Sequence, residues 1–145
     1  MRIVVGSDHA GFALKEHVKA TLIAAGHLVA DVGTDCDEPV DYPQFAAQGA
    51  RAVARGEADR AVLACGSGNG VAIAANKVAG IRAVNAHDVD EAEMARRHND
   101  ANVLTLSGAR LAPADADAIV ARFLDAQFEG GRHRRRVDQI ALLEP

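Results

Sequence analysis

The stretch Cys65-Gly66-Ser67-Gly68-Asn69-Gly70 puts a thiol at the mouth of a loop with glycine at alternate positions. The familiar phosphate loops do not fit it. The GK[ST] ending of a Walker loop is missing, and Lys77 comes much later. The spacing is GxGxG and not the GxGxxG of the dinucleotide fingerprint. A phosphatase-type cysteine loop would need an arginine a few positions downstream, where Val71 stands. What remains is a thiol, backbone N–H groups left open by small residues, and a helix N-terminus, which together stabilise an oxyanion as readily as a phosphate. The same donors favour a thiolate, which would make a base available near neutral pH. A base beside an oxyanion hole is the minimum equipment for removing a proton next to a carbonyl. For the loop alone, a tight turn with Cys65 as a small buried hydrophobe explains the pattern equally well.

Asp8 and His9 stand in GSDHAGF, which follows the first apolar run. Taken alone, Asp8 reads as a helix N-cap and His9 as a surface residue. His98 and Asn99 stand in RHND, and Arg110 in SGAR. In the tail, Arg132, His133, Arg134, Arg135 and Arg136 occupy the first turns of a helix, the end where the macrodipole disfavours cations. Something anionic should compensate. Arg132 and Arg136 are one helical turn apart, so their guanidinium groups can converge on one ligand. A phosphate held by this pair, with Arg110 as a further donor, explains the placement better than a solvated basic face does. Val137, Ile140 and Leu143 would then form an apolar face that docks the arm.

These groups need a scaffold, and the rest of the chain supplies one. At 145 residues and 49% hydrophobic content the chain is the size of one domain, 1 to 145, with a real core. Short apolar runs at 2 to 6, 27 to 33, 60 to 66, 81 to 86 and 102 to 108 read as strands. Between them lie helices at about 11 to 25, with Leu14, Val18 and Leu22 on one face, and at 43 to 55, 70 to 77 and 89 to 98. Helices from Pro113 to 126 and from 132 onward follow, and the acidic stretch 34 to 43 is a loop. The alternation indicates an α/β, Rossmann-like three-layer sandwich with a five-stranded parallel sheet and a C-terminal helical arm. Ligands in such sheets collect beyond the carboxyl ends of the strands, so the chemistry is expected near those ends.

Composition narrows the function. Aromatics at 3%, no Trp and a net charge of -4 argue against nucleic-acid binding. No apolar run approaches the roughly 20 residues of a membrane span, and the start lacks a signal-peptide pattern, so a cytoplasmic protein is expected. Cys36 and Cys65 show no CxxC spacing, which suggests neither a disulfide nor a zinc site. Cys36 reads as an incidental thiol, and His17, His27 and His87 carry no assigned role.

Together GSDHAGFALK, DVGT, DYP, CGSGNGVAIAANKVAGIRA, RHNDANVL and EGGRHRRRV resemble the type B ribose 5-phosphate isomerase family, which includes galactose 6-phosphate and allose 6-phosphate isomerases. The match runs from end to end. The resemblance implies interconversion of ribose 5-phosphate and ribulose 5-phosphate in the pentose phosphate pathway, by ring opening and a cis-enediolate. It implies no metal or organic cofactor, and a homodimer, sometimes paired into a tetramer, with the active site shared between subunits and the arm 129 to 145 at the interface.

Residue by residue, the resemblance makes Cys65 the base that moves the proton between C1 and C2. Ser67 and the N–H groups from Gly66 through Gly68 and Asn69 to Gly70 stabilise the enediolate oxygen. His98, helped by Asp8, opens the ring. His9, Arg110, Arg132 and Arg136 hold the phosphate with His133 close by, and Tyr42 and Asn99 line the sugar site. Some relatives lack the cysteine and place a glutamate where Val71 stands, so this chain resembles the cysteine branch. Another sugar phosphate, such as allose 6-phosphate or a tetrose phosphate, and a non-catalytic sugar-phosphate-binding module are the alternative readings.

Overall fold

In the computed structural model, which describes residues 1–145, each apolar run becomes a strand of one sheet. The strands are β1 (Arg2–Ser7), β2 (Leu28–Asp31), β3 (Arg60–Cys65), β4 (Ala83–Asn85) and β5 (Val103–Ser107). All pairings are parallel, in the order β2-β1-β3-β5-β4. The helices are α1 (Phe12–Ala24), α2 (Tyr42–Ala54), α3 (Asn69–Ala75), α4 (Val89–Asn99), α5 (Pro113–Asp125) and α6 (Arg132–Ala141). Parallel strands bury both faces, which is why their sequences run apolar without alternation. One face carries an 18-residue cluster built with α1, α4 and α5, including Leu14, Val18 and Leu22. The other carries an 11-residue cluster built with α2 and α3. This is the expected three-layer arrangement.

The chain leaves β1 for β2 on one side and reaches β3 on the other, so a crevice opens between β1 and β3 at their carboxyl ends. The loop after β1 fills part of it because two glycines let backbone approach backbone. A Cβ on Gly11 would lie 2.5 Å from the Ala64 carbonyl carbon, and one on Gly108 would lie 2.5 Å from the Ala10 oxygen. The loop is thereby wedged between the ends of β3 and β5.

Several element boundaries differ from the sequence expectation. β4 is confined to Ala83–Asn85: ahead of it the Ile81 N–H closes a turn on the Val78 oxygen, and the Arg82 N–H donates to the Asn102 side chain and not to a strand. The Asn76 amide pairs with both the N–H and the oxygen of Ala83, covering this edge strand. β2 stops at Asp31, whose carboxylate is spent on Lys15, a lysine buried on α1 that also donates to the Thr34 oxygen. Burial pushes the Asp31 carboxyl up, but Lys15, Lys19 and the Gly33 N–H outweigh it and hold it below the usual range. The arm docks less completely than its apolar pattern suggested. Val137 is buried, whereas Ile140 and Leu143 stay 41% and 84% exposed in the single chain.

Candidate active site

β3 delivers Cys65 to the carboxyl edge of the sheet, level with Ser107 of β5 and one residue beyond the rung that pairs Ser7 with Ala64. The thiol is buried, and the Gly68 N–H donates to its sulfur at 3.2 Å. The loop that follows is held by its carbonyl oxygens. Ser107 Oγ donates to the Gly66 oxygen at 2.7 Å, Asn85 Nδ2 to the Ser67 oxygen at 3.1 Å, and Thr105 Oγ1 to the Gly68 oxygen at 2.9 Å. With these oxygens engaged, the N–H groups of Gly66, Ser67, Gly70 and Val71 donate to nothing within the chain. Gly68 takes φ +80°, a conformation that favours glycine, and a Cβ there would lie 2.2 Å from Asn85 Oδ1. The Tyr42 ring, at the start of α2, lies over Gly70, where a Cβ would come within 2.5 Å of it. Asn69 faces outward, its N–H on Ser67 Oγ and its side-chain oxygen accepting from Asn85.

The loop after β1 brings in Asp8 and His9. Asp8 is buried and its Oδ1 accepts from the Gly11 N–H at 3.0 Å. The helix N-cap is Gly11 itself, so Asp8 caps the turn that leads into α1, close to the capping role read from its type. His9 Nδ1 accepts from the Val40 N–H at 3.1 Å. The neutral ring therefore carries its proton on Nε2, which is free to donate. Arg110, in the loop after β5, is exposed and forms no ion pair.

The remaining candidates form a second group at the opposite edge. RHND closes α4, which runs back toward the amino end of β5, so His98 and Asn99 lie beyond the amino ends of the strands and not beyond the carboxyl ends. β5 alone separates the two edges by roughly 13 Å. His98 stacks on His133 of α6, with ring centroids 4.2 Å apart and planes 10° from parallel. Glu129 faces both, 3.4 Å from His133 Nε2 and 4.0 Å from His98 Nε2, and is paired to Arg97. Arg97 holds the Glu129 carboxyl below its usual range. Burial, with His98 and Arg132 adding to it against the pull of Glu129, pushes the His133 imidazole down. Arg132 and Arg136 are exposed at the start of α6, and neither finds a carboxylate.

One chain thus brings together Cys65, Gly66, Ser67, Gly68, Asn69, Gly70, Asp8, His9, Tyr42 and Arg110, and separately His98, Asn99, Arg132, His133 and Arg136. Sequence reading missed Asn85, Thr105, Ser107 and Glu129. The hydroxyls left a signal: Val103, Thr105 and Ser107 share one face of a strand buried on both sides, and buried hydroxyls must find partners. His17, His27 and His87 pair with Asp117, the N-terminal amine and Glu91, away from both groups.

Comparison with known proteins bears on this arrangement. The family model described as Ribose/Galactose Isomerase matches residues 3–140. The chain is 47% identical to the ribose-5-phosphate isomerase B of Escherichia coli K12, over 99% of this chain and 96% of that one. It is 46% identical to D-erythrulose-4-phosphate isomerase 2 of Mycolicibacterium smegmatis, over 89% of this chain and 87% of that one. The solved structure of ribose-5-phosphate isomerase B from Clostridium thermocellum superposes with a TM-score of 0.98 at 45% identity, covering 99% of this chain and 97% of that one.

Proposed function

The chain belongs to the ribose/galactose isomerase family, and from that premise we propose that it interconverts D-ribose 5-phosphate and D-ribulose 5-phosphate in the pentose phosphate pathway of the cytoplasm. The observation that carries this reading is the Cys65 thiol with an N–H on its sulfur and unengaged N–H groups in the loop beside it. In the open-chain aldose, Cys65 as thiolate takes the proton from C2. The C–H electron pair becomes the C1=C2 bond of the enediolate, and the carbonyl oxygen takes up the negative charge. The N–H groups of the loop donate to that oxygen, preorganised because the carbonyls behind them are already held. Transfer of the C2 hydroxyl proton to the C1 oxygen, with return of the carbon-bound proton from Cys65 to C1, leaves a carbonyl at C2 and gives the ketose.

The phosphate is bound by His9 through Nε2–H and by Arg110, and its binding energy positions the carbonyl over Cys65. Tyr42 and Asn99 line the sugar. Arg132 and Arg136 complete the phosphate site with His133 beside them, and His98 with Asp8 opens the furanose by acid–base exchange at the ring oxygen. His98, Asn99, Arg132, His133 and Arg136 come from a second copy of the chain, and Asp8 from the copy that supplies Cys65. The distance between the sheet edges, the unpaired arginines and the exposed Ile140 and Leu143 of the arm support a homodimer whose sites are shared. No helix is long and apolar enough to cross a membrane.

A tetrose phosphate is the second reading, favoured by the 46% identity to a D-erythrulose-4-phosphate isomerase. A pocket discriminates one extra hydroxymethyl group only weakly unless polar partners are left unpaired. Steady-state turnover of ribose 5-phosphate, erythrulose 4-phosphate and allose 6-phosphate by the purified protein decides between them through kcat/KM. The expectation is highest kcat/KM for ribose 5-phosphate, and a loss of about 100- to 10,000-fold in kcat for Cys65→Ala with binding of a sugar-acid analogue retained. Full turnover in that variant would remove Cys65 as the base. Analogue binding without turnover of any of the sugars would leave a binding module.

A further inference from the structure

The peptide between Ser67 and Gly68 is pinned at both ends. Its oxygen accepts from Asn85 Nδ2 at 3.1 Å, and its N–H donates to Cys65 Sγ at 3.2 Å. A trans peptide is planar with its C=O and N–H directed oppositely, so a donor that draws the oxygen one way aims the hydrogen the other. The next peptide is held in the same manner, its oxygen by Thr105 Oγ1 and its N–H by Ser67 Oγ.

The orientation of the Asn85 amide follows from what surrounds it. The Ser67 oxygen and Asn69 Oδ1, the latter at 2.7 Å, are both acceptors, so only the NH₂ group can face them. That leaves Asn85 Oδ1 buried with no partner, in the space that a Cβ on Gly68 would occupy. A buried acceptor without a donor carries a cost that an alanine or valine at the end of β4 would avoid. The amide is retained for what its nitrogen does.

We infer that Asn85 is a positioning residue for Cys65, acting through the Ser67–Gly68 peptide to keep the Gly68 N–H on the sulfur. The inference rests on the reading of Cys65 as the base for its catalytic consequence, but not for its geometry. Gly68 has wide backbone freedom, so without the Asn85 donor this peptide can rotate and withdraw its N–H from the thiol.

The test uses the full chain in a Cys36→Ser background, with Asn85→Ala and the nearly isosteric Asn85→Asp, which keeps the volume but loses the donor. The rate of Cys65 alkylation by iodoacetamide at pH 7 and the steady-state constants for ribose 5-phosphate are measured on both, with circular dichroism to establish folding. Alkylation is expected to slow about tenfold and kcat to fall roughly 10- to 100-fold, with KM changed less than about threefold, as for loss of a donor to a charged group. Wild-type alkylation in a folded variant would overturn the inference. Slower alkylation with unchanged isomerisation would uphold the positioning and instead refute Cys65 as the base.

Discussion

At the carboxyl edge of the sheet, the oxygens of Gly66, Ser67 and Gly68 are all engaged by side chains of β4 and β5, and the sulfur of Cys65 has its own donor. At the amino edge, Arg132 and Arg136 stand without a carboxylate, His133 is packed against another histidine, and Glu129 is the single acid between them. The first region is finished within one chain. The carbonyl oxygens of its loop are held and the neighbouring N–H groups are left open where the proposed oxyanion would sit, so these donors need not reorganise when charge develops. The second has an excess of cations at the wrong end of a helix dipole, an arrangement that becomes favourable once an anion arrives. A thiol-bearing edge and a charge-rich edge a strand's length apart are the arrangement that the proposed two-copy site requires.

The strongest challenge to that contrast is complementation. Cys65→Ala and His98→Ala alone should each lose about 100- to 10,000-fold in kcat. Co-expressed, they should recover about a quarter of wild-type specific activity, since half of the dimers are mixed and each mixed dimer carries one intact site. Absence of recovery in isolated mixed dimers would mean that both edges serve the same copy. A smaller effect is expected from the arginines. Arg132→Ala or Arg136→Ala should raise KM for the sugar phosphate roughly 10- to 100-fold with less change in kcat, because a charge-assisted contact to the phosphate is lost. An unaltered KM would remove the phosphate role from the arm.

The smallest effect concerns stability. The His133 imidazole is pushed below its usual 6.5, first by burial and then by His98 and Arg132. Between the lowered native value and 6.5 the unfolded chain binds more protons, so stability is complete above that range and is lost as pH falls through it. Urea midpoints measured from pH 8 down to pH 5 should therefore decline less steeply for His133→Gln than for the wild type. Parallel profiles would show that the imidazole does not govern the acid side.

The strands were legible because both faces of a parallel sheet are buried, and Ile3, Val4, Leu63 and Leu104 announce that without any partner being known. The glycine loop was legible because GxGxG after an apolar run has few physical uses. Asn85 was not, since an asparagine in a short edge strand looks like any turn-proximal polar residue until the Ser67 oxygen is seen beneath it. Glu129 was hidden in the same way. It lies in a loop four residues before His133, and only the packing of α6 on α4 brings it beside His98.

By itself the sequence determined the element order, the layered α/β plan, the thiol at the end of β3 and the basic start of the last helix, because apolar periodicity and residue type act locally along the chain. Tertiary structure decided which edge of the sheet each group reaches. RHND ends a helix that runs antiparallel to the strands, so its histidine is carried away from Cys65 although both belong to one family pattern. It also decided where the loop's hydrogen bonds go, because the side chains that hold Gly66, Ser67 and Gly68 come from strands 18 to 41 residues distant in sequence, and pairings at that separation exist only once the sheet has closed.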